Sequence, residues 1–231
     1  MDKSTLLQAI RRKATQFTTG GFRPTNTREE SWIGRVFIYK AEEELPLDSD
    51  GRPMIPLAQF YLPALPFVPE SLQSIEYITV FLSTQFPNPF ESMGDRWIIR
   101  TYTATDEIME KEFPIDTVYI KAFPLQPSLV EQDCPLWDGG GLTTEQEDAF
   151  LALEEEGVIE GYYEETTHSY LHKIGGWPSF CQSGVDFEEG YSFAFQLSTD
   201  AKANLNVVDN GSFLFAFNPS IKQWQLYYDF Y

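Results

Sequence analysis

The chain has 231 residues, 42% hydrophobic and 16% aromatic, and its 16 Lys and Arg face 35 Asp and Glu for a formal net charge of −19. Such a surface repels nucleic-acid phosphates and anionic membranes unless a local basic patch intervenes. The aromatic content separates it from disordered acidic chains and suffices for a large core.

Leu6-Leu7-Gln8-Ala9-Ile10 is a short apolar stretch with Arg11-Arg12-Lys13 behind it, the wrong length and order for a signal peptide. No apolar run approaches the roughly 20 residues that span a bilayer. Cys134 and Cys181 are too few for a disulfide framework. A cytoplasmic, reduced protein is expected. With Ser4 as N-cap, Leu6, Leu7, Ile10, Ala14 and Phe17 predict one helix that runs to Gly20-Gly21. Residues 1–28, read as an N-terminal helix and linker, hold one acid and six bases, so they carry about +5 and the rest about −24.

Trp32 to Tyr39, Ile75 to Leu82 and Trp97 to Tyr102 read as strands. Asp50-Gly51 predicts a tight turn. Asp48-Ser49-Asp50-Gly51 lacks the glycine and glutamate spacing of a calcium loop. Pro63, Pro66 and Pro69 mark an irregular link. After Gly139-Gly140-Gly141, Thr144 to Glu147 reads as a capping box. Ala149, Phe150 and Leu153 form the apolar stripe of the following helix, and Gly157 caps its end. Tyr191, Phe193, Phe195 and Leu197 alternate with small or polar residues along a strand. Phe213 to Phe217 reads as a strand buried on both faces, and Trp224, Leu226, Tyr228 and Phe230 alternate again. The class expected is α+β, mainly antiparallel β-sheets with a few packed helices.

A weak repeat is present. Trp32-Ile33-Gly34, then Leu57-Ala58-Gln59, then an apolar strand, has a counterpart in Lys173-Ile174-Gly175, then Phe195-Gln196-Leu197, then Phe213 to Phe217. It predicts one domain, 29–231, built from two related halves at about 29–125 and 143–231. Gly51-Arg52-Pro53-Met54 with Leu57-Ala58-Gln59, His172-Lys173-Ile174-Gly175-Gly176-Trp177-Pro178 with Gln182, and Asp209-Asn210-Gly211 resemble, in order and spacing, the YwqG-like family, a bacterial domain family of unknown function. Gly34-Arg35-Val36-Phe37 stands where that family repeats its Gly-Gly-x-Pro element. The resemblance implies a largely antiparallel α+β fold and no established activity. It also implies a genomic setting near polymorphic toxins, hence an immunity role.

Catalytic signatures are missing. No Gly-x-x-x-x-Gly-Lys phosphate loop and no Gly-x-Ser-x-Gly elbow occurs. His168 and His172, spaced i,i+4, lack the glutamate of a zincin, and neither cysteine sits in an activating context, so no metal or other cofactor is expected. Residues 145–165 concentrate charge: Glu145, Glu147, Asp148, Glu154, Glu155, Glu156, Glu160, Glu164 and Glu165, with no Lys or Arg. The acids at the helix end oppose the helix dipole, which marks a binding surface for a basic protein partner. Glu154, Glu155, Glu156, Glu160, Tyr162, Tyr163, Glu164 and Glu165 are the expected contact residues. The function expected is thus a non-enzymatic binding protein, an antitoxin-like immunity protein, that binds neither nucleic acid nor membrane. The alternative is a small-molecule-binding domain or enzyme with its site between the halves, near Gln59, His172, Trp177 and Gln196.

Overall fold

Local sequence decides where the first helix begins, and long-range pairing decides where it stops. The computed structural model describes residues 2–115, 119–182 and 186–229. Helix α1 spans Lys3–Ile10, and its N-cap is Asp2, not Ser4: the Asp2 carboxylate accepts from Thr5 N at 3.1 Å. Arg12–Thr19, expected as more helix and linker, is strand β1. Ala14 and Phe17 keep helical phase with Ile10. Thr15, Thr18 and Thr19 favour an extended chain, however, and both edges of β1 are paired.

Strands β2 (Trp32–Ile33) and β3 (Ile38–Lys40) divide the single strand expected there. Gly34 turns the chain between them at φ 70°, with no room for a side chain: a Cβ would lie 2.6 Å from the Lys121 carbonyl oxygen. There follow β4 (Ile55–Tyr61), two single 3-10 turns (Leu62–Ala64 and Glu70–Leu72), β5 (Tyr77–Leu82), β6 (Trp97–Tyr102), β7 (Ile108–Glu110) and β8 (Phe123–Asp133). Before β4, Asp48-Ser49-Asp50-Gly51 is a turn. The Asp48 carboxylate accepts from the backbone N–H of Asp50 and Arg52 and from the Ser83 hydroxyl.

Helix α2 (Thr144–Glu155) is capped one residue earlier than expected, by a reciprocal box between Thr143 and Gln146. Gly157, at φ 69°, ends it in the left-handed conformation, with Val158 N donating to Leu153 O. Helix α3 (Tyr162–Glu165) and strands β9 (His172–Gly175), β10 (Ser192–Ser198), β11 (Ser212–Asn218) and β12 (Gln223–Asp229) complete the order. Phe230 lies outside the described residues.

Ten strands form one antiparallel sheet in the order β12-β11-β10-β9-β1-β8-β2-β4-β5-β6; β3 and β7 pair separately. The order reads alike from either edge. β1-β9-β10-β11-β12 answers β8-β2-β4-β5-β6, with β1 and β8 paired in the middle. The register repeats as well: Trp32 lies opposite Gln59, and Lys173 lies opposite Gln196, each two residues before the turning glycine. The strand that joins the halves comes from residues 12–19. The sheet curls until Trp97 of β6 meets Phe215 of β11, centroids 6.1 Å apart. Both halves share one core, in which Phe17, Phe60 and Phe195 are packed. The helices enclose a satellite core of Leu6, Leu7, Ile10, Cys134, Phe150, Leu153, Ile159 and Tyr162.

Candidate functional site

The α2–α3 segment carries the acidic run, most of it exposed. Phe150 and Leu153 point into the satellite core, which leaves Leu151 half exposed on the outer face. Glu147, Asp148, Glu154 and Glu155 are its helical neighbours at i±3 and i±4. Val158 and Tyr163, also exposed by half or more, continue the apolar points past the helix end. Glu154, Glu155, Glu156, Glu160 and Glu164 are exposed and have no ion-pair partner among the described residues. The last turn of α2 holds no base. Its acids therefore face the negative end of the helix dipole uncompensated, a cost of roughly 0.3–1 kcal/mol each.

Two of the expected contact residues do not belong to this surface in the way their sequence position implied. Tyr162 is buried, with its hydroxyl donating to Pro135 O at 2.7 Å and its ring edge-on to Phe150. Its helix turns it inward, away from the acids beside it in sequence. Glu165 is half-buried and pairs with Lys3 at 2.7 Å. Tyr163 stays outside, its hydroxyl oxygen accepting from Trp137 N.

The second concentration of chemistry is interior. Lys173, at the Trp32-equivalent place on β9, is fully buried, as is Asp133 at the end of β8, and their charged atoms are 2.9 Å apart. The Asp133 carboxylate also accepts from Ser169 N and Trp177 N, both at 2.7 Å. Lys173 donates to Ser169 O at 2.6 Å. Burial pushes the ammonium down to about 8, against the pull of Asp133. The carboxylate thus pins the Gly175-Gly176 turn. A Cβ on Gly176 would lie 2.2 Å from its oxygen.

His168 packs against the same network. The Cys134 carbonyl accepts from Nδ1 at 2.7 Å, so Nε2 faces the Ser179 hydroxyl, also at 2.7 Å, as an acceptor. A serine, a base and an orienting group are the parts of an activated nucleophile. Here Ser179 and the His168 side chain are nearly closed off, and the serine oxygen also accepts from Gln196 Nε2. Burial, then the charge on Lys173, holds the His168 imidazole down to about 4. The pair ties the 166–171 segment to β10.

This tie has a pH signature. The unfolded imidazole takes up its proton near pH 6.5, the folded one only near 4. Between those values the unfolded state binds more protons, so stability falls as pH drops through the window. Relative to His168→Gln, the wild type is expected to lose about 3 kcal/mol more between pH 7 and 4. Urea unfolding of both proteins across that range measures the difference.

The residues of the expected inter-half site occupy separate places. Gln59 Oε1 accepts from the backbone N–H of Phe37 and Ile38, just past the Gly34 turn. Its amide nitrogen has no hydrogen-bond partner among the described residues. Gln196 Oε1 accepts from Ser179 N, four residues past Gly175 as Ile38 is past Gly34, and its nitrogen donates to Leu171 O, Ser179 Oγ and Ser198 Oγ. Each amide therefore serves its own half. His172 is not on a helix with His168. It begins β9, accepts from Ser198 N and donates to Asp200 Oδ2 at 3.2 Å. Burial raises the Asp200 carboxyl, but hydrogen bonds from His172 and Thr19 outweigh it and hold the group below the usual range. The Cys181 thiol lies by Ser179 O, while the two His172 nitrogens face Ser198 N and Asp200. Cys134 is buried, and burial pushes its thiol pKa up. No group of three or more His, Cys, Asp or Glu placed to hold a metal ion occurs among the described residues.

The ion pair Asp133–Lys173 escaped the sequence reading. A lysine inside an apolar strand, at the place of Trp32 in the repeat, was its one visible sign. No protein-family model matches the chain, and no curated protein matches it. None of its helices, among the described residues, is long and apolar enough to cross a membrane.

Proposed function

We propose that this chain is a non-enzymatic binding protein of the bacterial cytoplasm that captures a basic protein through its α2–α3 face. Its partner in this reading is a toxin domain, and the chain is the matching immunity protein. One observation carries the reading: Leu151, Val158 and Tyr163 are exposed in the same segment as Glu154, Glu155, Glu156, Glu160 and Glu164, acids without an ion-pair partner among the described residues. A surface of that kind attracts a cationic partner over a distance, and its apolar points give the contact hold after encounter. The YwqG-like resemblance supports the toxin setting. Basic partners are typical of toxins that act on nucleic acids, and an acidic face competes with the phosphates for the same cleft.

Co-expression with the product of the adjacent gene is the test. Growth should be rescued and the two chains should co-purify. The complex should weaken steeply with salt. Substituting Glu154→Lys, Glu155→Lys and Glu156→Lys together is expected to weaken capture by at least about ten-fold, since charge reversal turns each steering contact into repulsion. A complex that forms equally well with the triple variant would rule out this face. Absence of both rescue and complex would rule out the immunity role.

A further inference from the structure

Most cations of this acid-rich chain have found a carboxylate or a carbonyl; Arg12 has not. Its guanidinium, at the start of β1, makes no hydrogen bond or ion pair among the described residues and stacks on the Trp177 ring, 3.3 Å from the centroid. Its strand neighbour across the sheet, Asp133, is already taken by Lys173, Ser169 N and Trp177 N. Partial burial lowers the Arg12 pKa from its usual value, with Asp133 pulling the other way.

This arginine borders a cleft of about 270 Å³ at the seam of the two halves. Phe67 and Pro69 form its wall on the side of the first half; Gly175, Gly176 and Phe193 form it on the second. Lys13 is the other charged lining residue, and it pairs with Glu131 at 3.0 Å. Among the described residues no acid lines this cleft, in a chain where acids outnumber bases by 35 to 16, and Asp186 lines only the hollow beside it. Its walls are fixed. Thr15 Oγ1 bonds both the carbonyl and the N–H of Phe67, Trp177 Nε1 donates to Ile10 O, and neither turning glycine has space for a side chain. A second hollow, of about 220 Å³, adjoins it across Arg12 and Phe193 and reaches the Gly139-Gly140-Gly141 loop.

We propose that the cleft binds a small planar aromatic molecule bearing a carboxylate or a phosphate, with the anion on Arg12 and the ring against Phe67 and Phe193. Arginine presents a planar fork of donors that matches either anion, and a fork already held by stacking loses little freedom on binding. The volume lies near the lower limit of about 300 Å³ for ligand clefts, which restricts the occupant to one or two rings. The site is independent of the acidic face.

Phenyl phosphate and benzoate serve as probes, with phenol and benzamide as uncharged counterparts. Titration calorimetry and tryptophan fluorescence should show saturable binding of at least one anion at up to millimolar concentration, and which one binds separates phosphate from carboxylate. Each uncharged counterpart should bind at least about ten-fold more weakly, the lower end for a hydrogen bond to a charged group. Arg12→Gln should lose a similar factor with an unchanged Tm, and Trp177→Phe should remove the fluorescence response. If Arg12→Gln unfolds, Phe193→Ala is the second variant and should weaken binding too. The proposal is overturned if neither anion saturates, if the uncharged probes bind equally well, or if the folded variants bind like the wild type.

Discussion

Asp133→Asn is expected to lower the unfolding free energy by about 3–5 kcal/mol, a large share of the roughly 5–15 kcal/mol that a domain has in total. The substitution keeps the size and removes the charge. Lys173 is then a fully buried ammonium without a counter-ion, and of the three groups that the carboxylate accepts from, one must face the amide nitrogen. Desolvation, not lost attraction, makes the cost large: the charge has left water whether or not it is paired. The double variant Asp133→Asn, Lys173→Met should therefore recover part of the loss, because it removes the orphan charge as well. Chemical denaturation of the three proteins decides this. A single-variant cost under about 1 kcal/mol would mean that water reaches the pair and that it is a surface bridge in its energetics.

Phe195→Ala is expected to cost about 3–5 kcal/mol, the range for removing a fully buried aromatic side chain. The ring stacks on Phe215 at 4.4 Å and 18° and meets Trp224 edge-on at 5.6 Å. It also meets Phe60 across the core at 5.5 Å, so it fastens one half to the other. The cavity left behind cannot collapse without moving both halves, which places the loss at the upper end. Phe195→Leu, which refills most of the volume, should cost less than half as much. Urea unfolding midpoints measure both. Equal losses for the two variants would show that aromatic geometry, not volume, is what the core requires.

Much of the β architecture is legible along the chain. Period-two alternation marks the strands near the C-terminal end, the continuous Phe213 to Phe217 run is buried on both faces, and Trp97–Tyr102 has its observed limits. The repeat is legible too, because a glycine with positive φ and a buried amide recur in register in both halves. Arg12–Thr19 was not legible. Its apolar residues fit a helical phase, and its partners in β8 lie more than a hundred residues away, so only the assembled sheet makes it a strand. The same limit hid the tie between Asp133 and Lys173, forty residues apart. It also hid the inward turn of Tyr162, which sits in an acidic context but on the buried side of a four-residue helix.

Sequence by itself determined the charge of −19, the acidic run of residues 145–165 and the α+β class. These follow from composition and from contacts between near neighbours, where spacing alone specifies a face. Tertiary structure decided which acids stay free, where the buried lysine finds its counter-ion, and that Arg12 is left without one at an aromatic seam. Those outcomes depend on which distant segments share a strand edge. Pairing between distant side chains is a property of that arrangement and leaves little local signal.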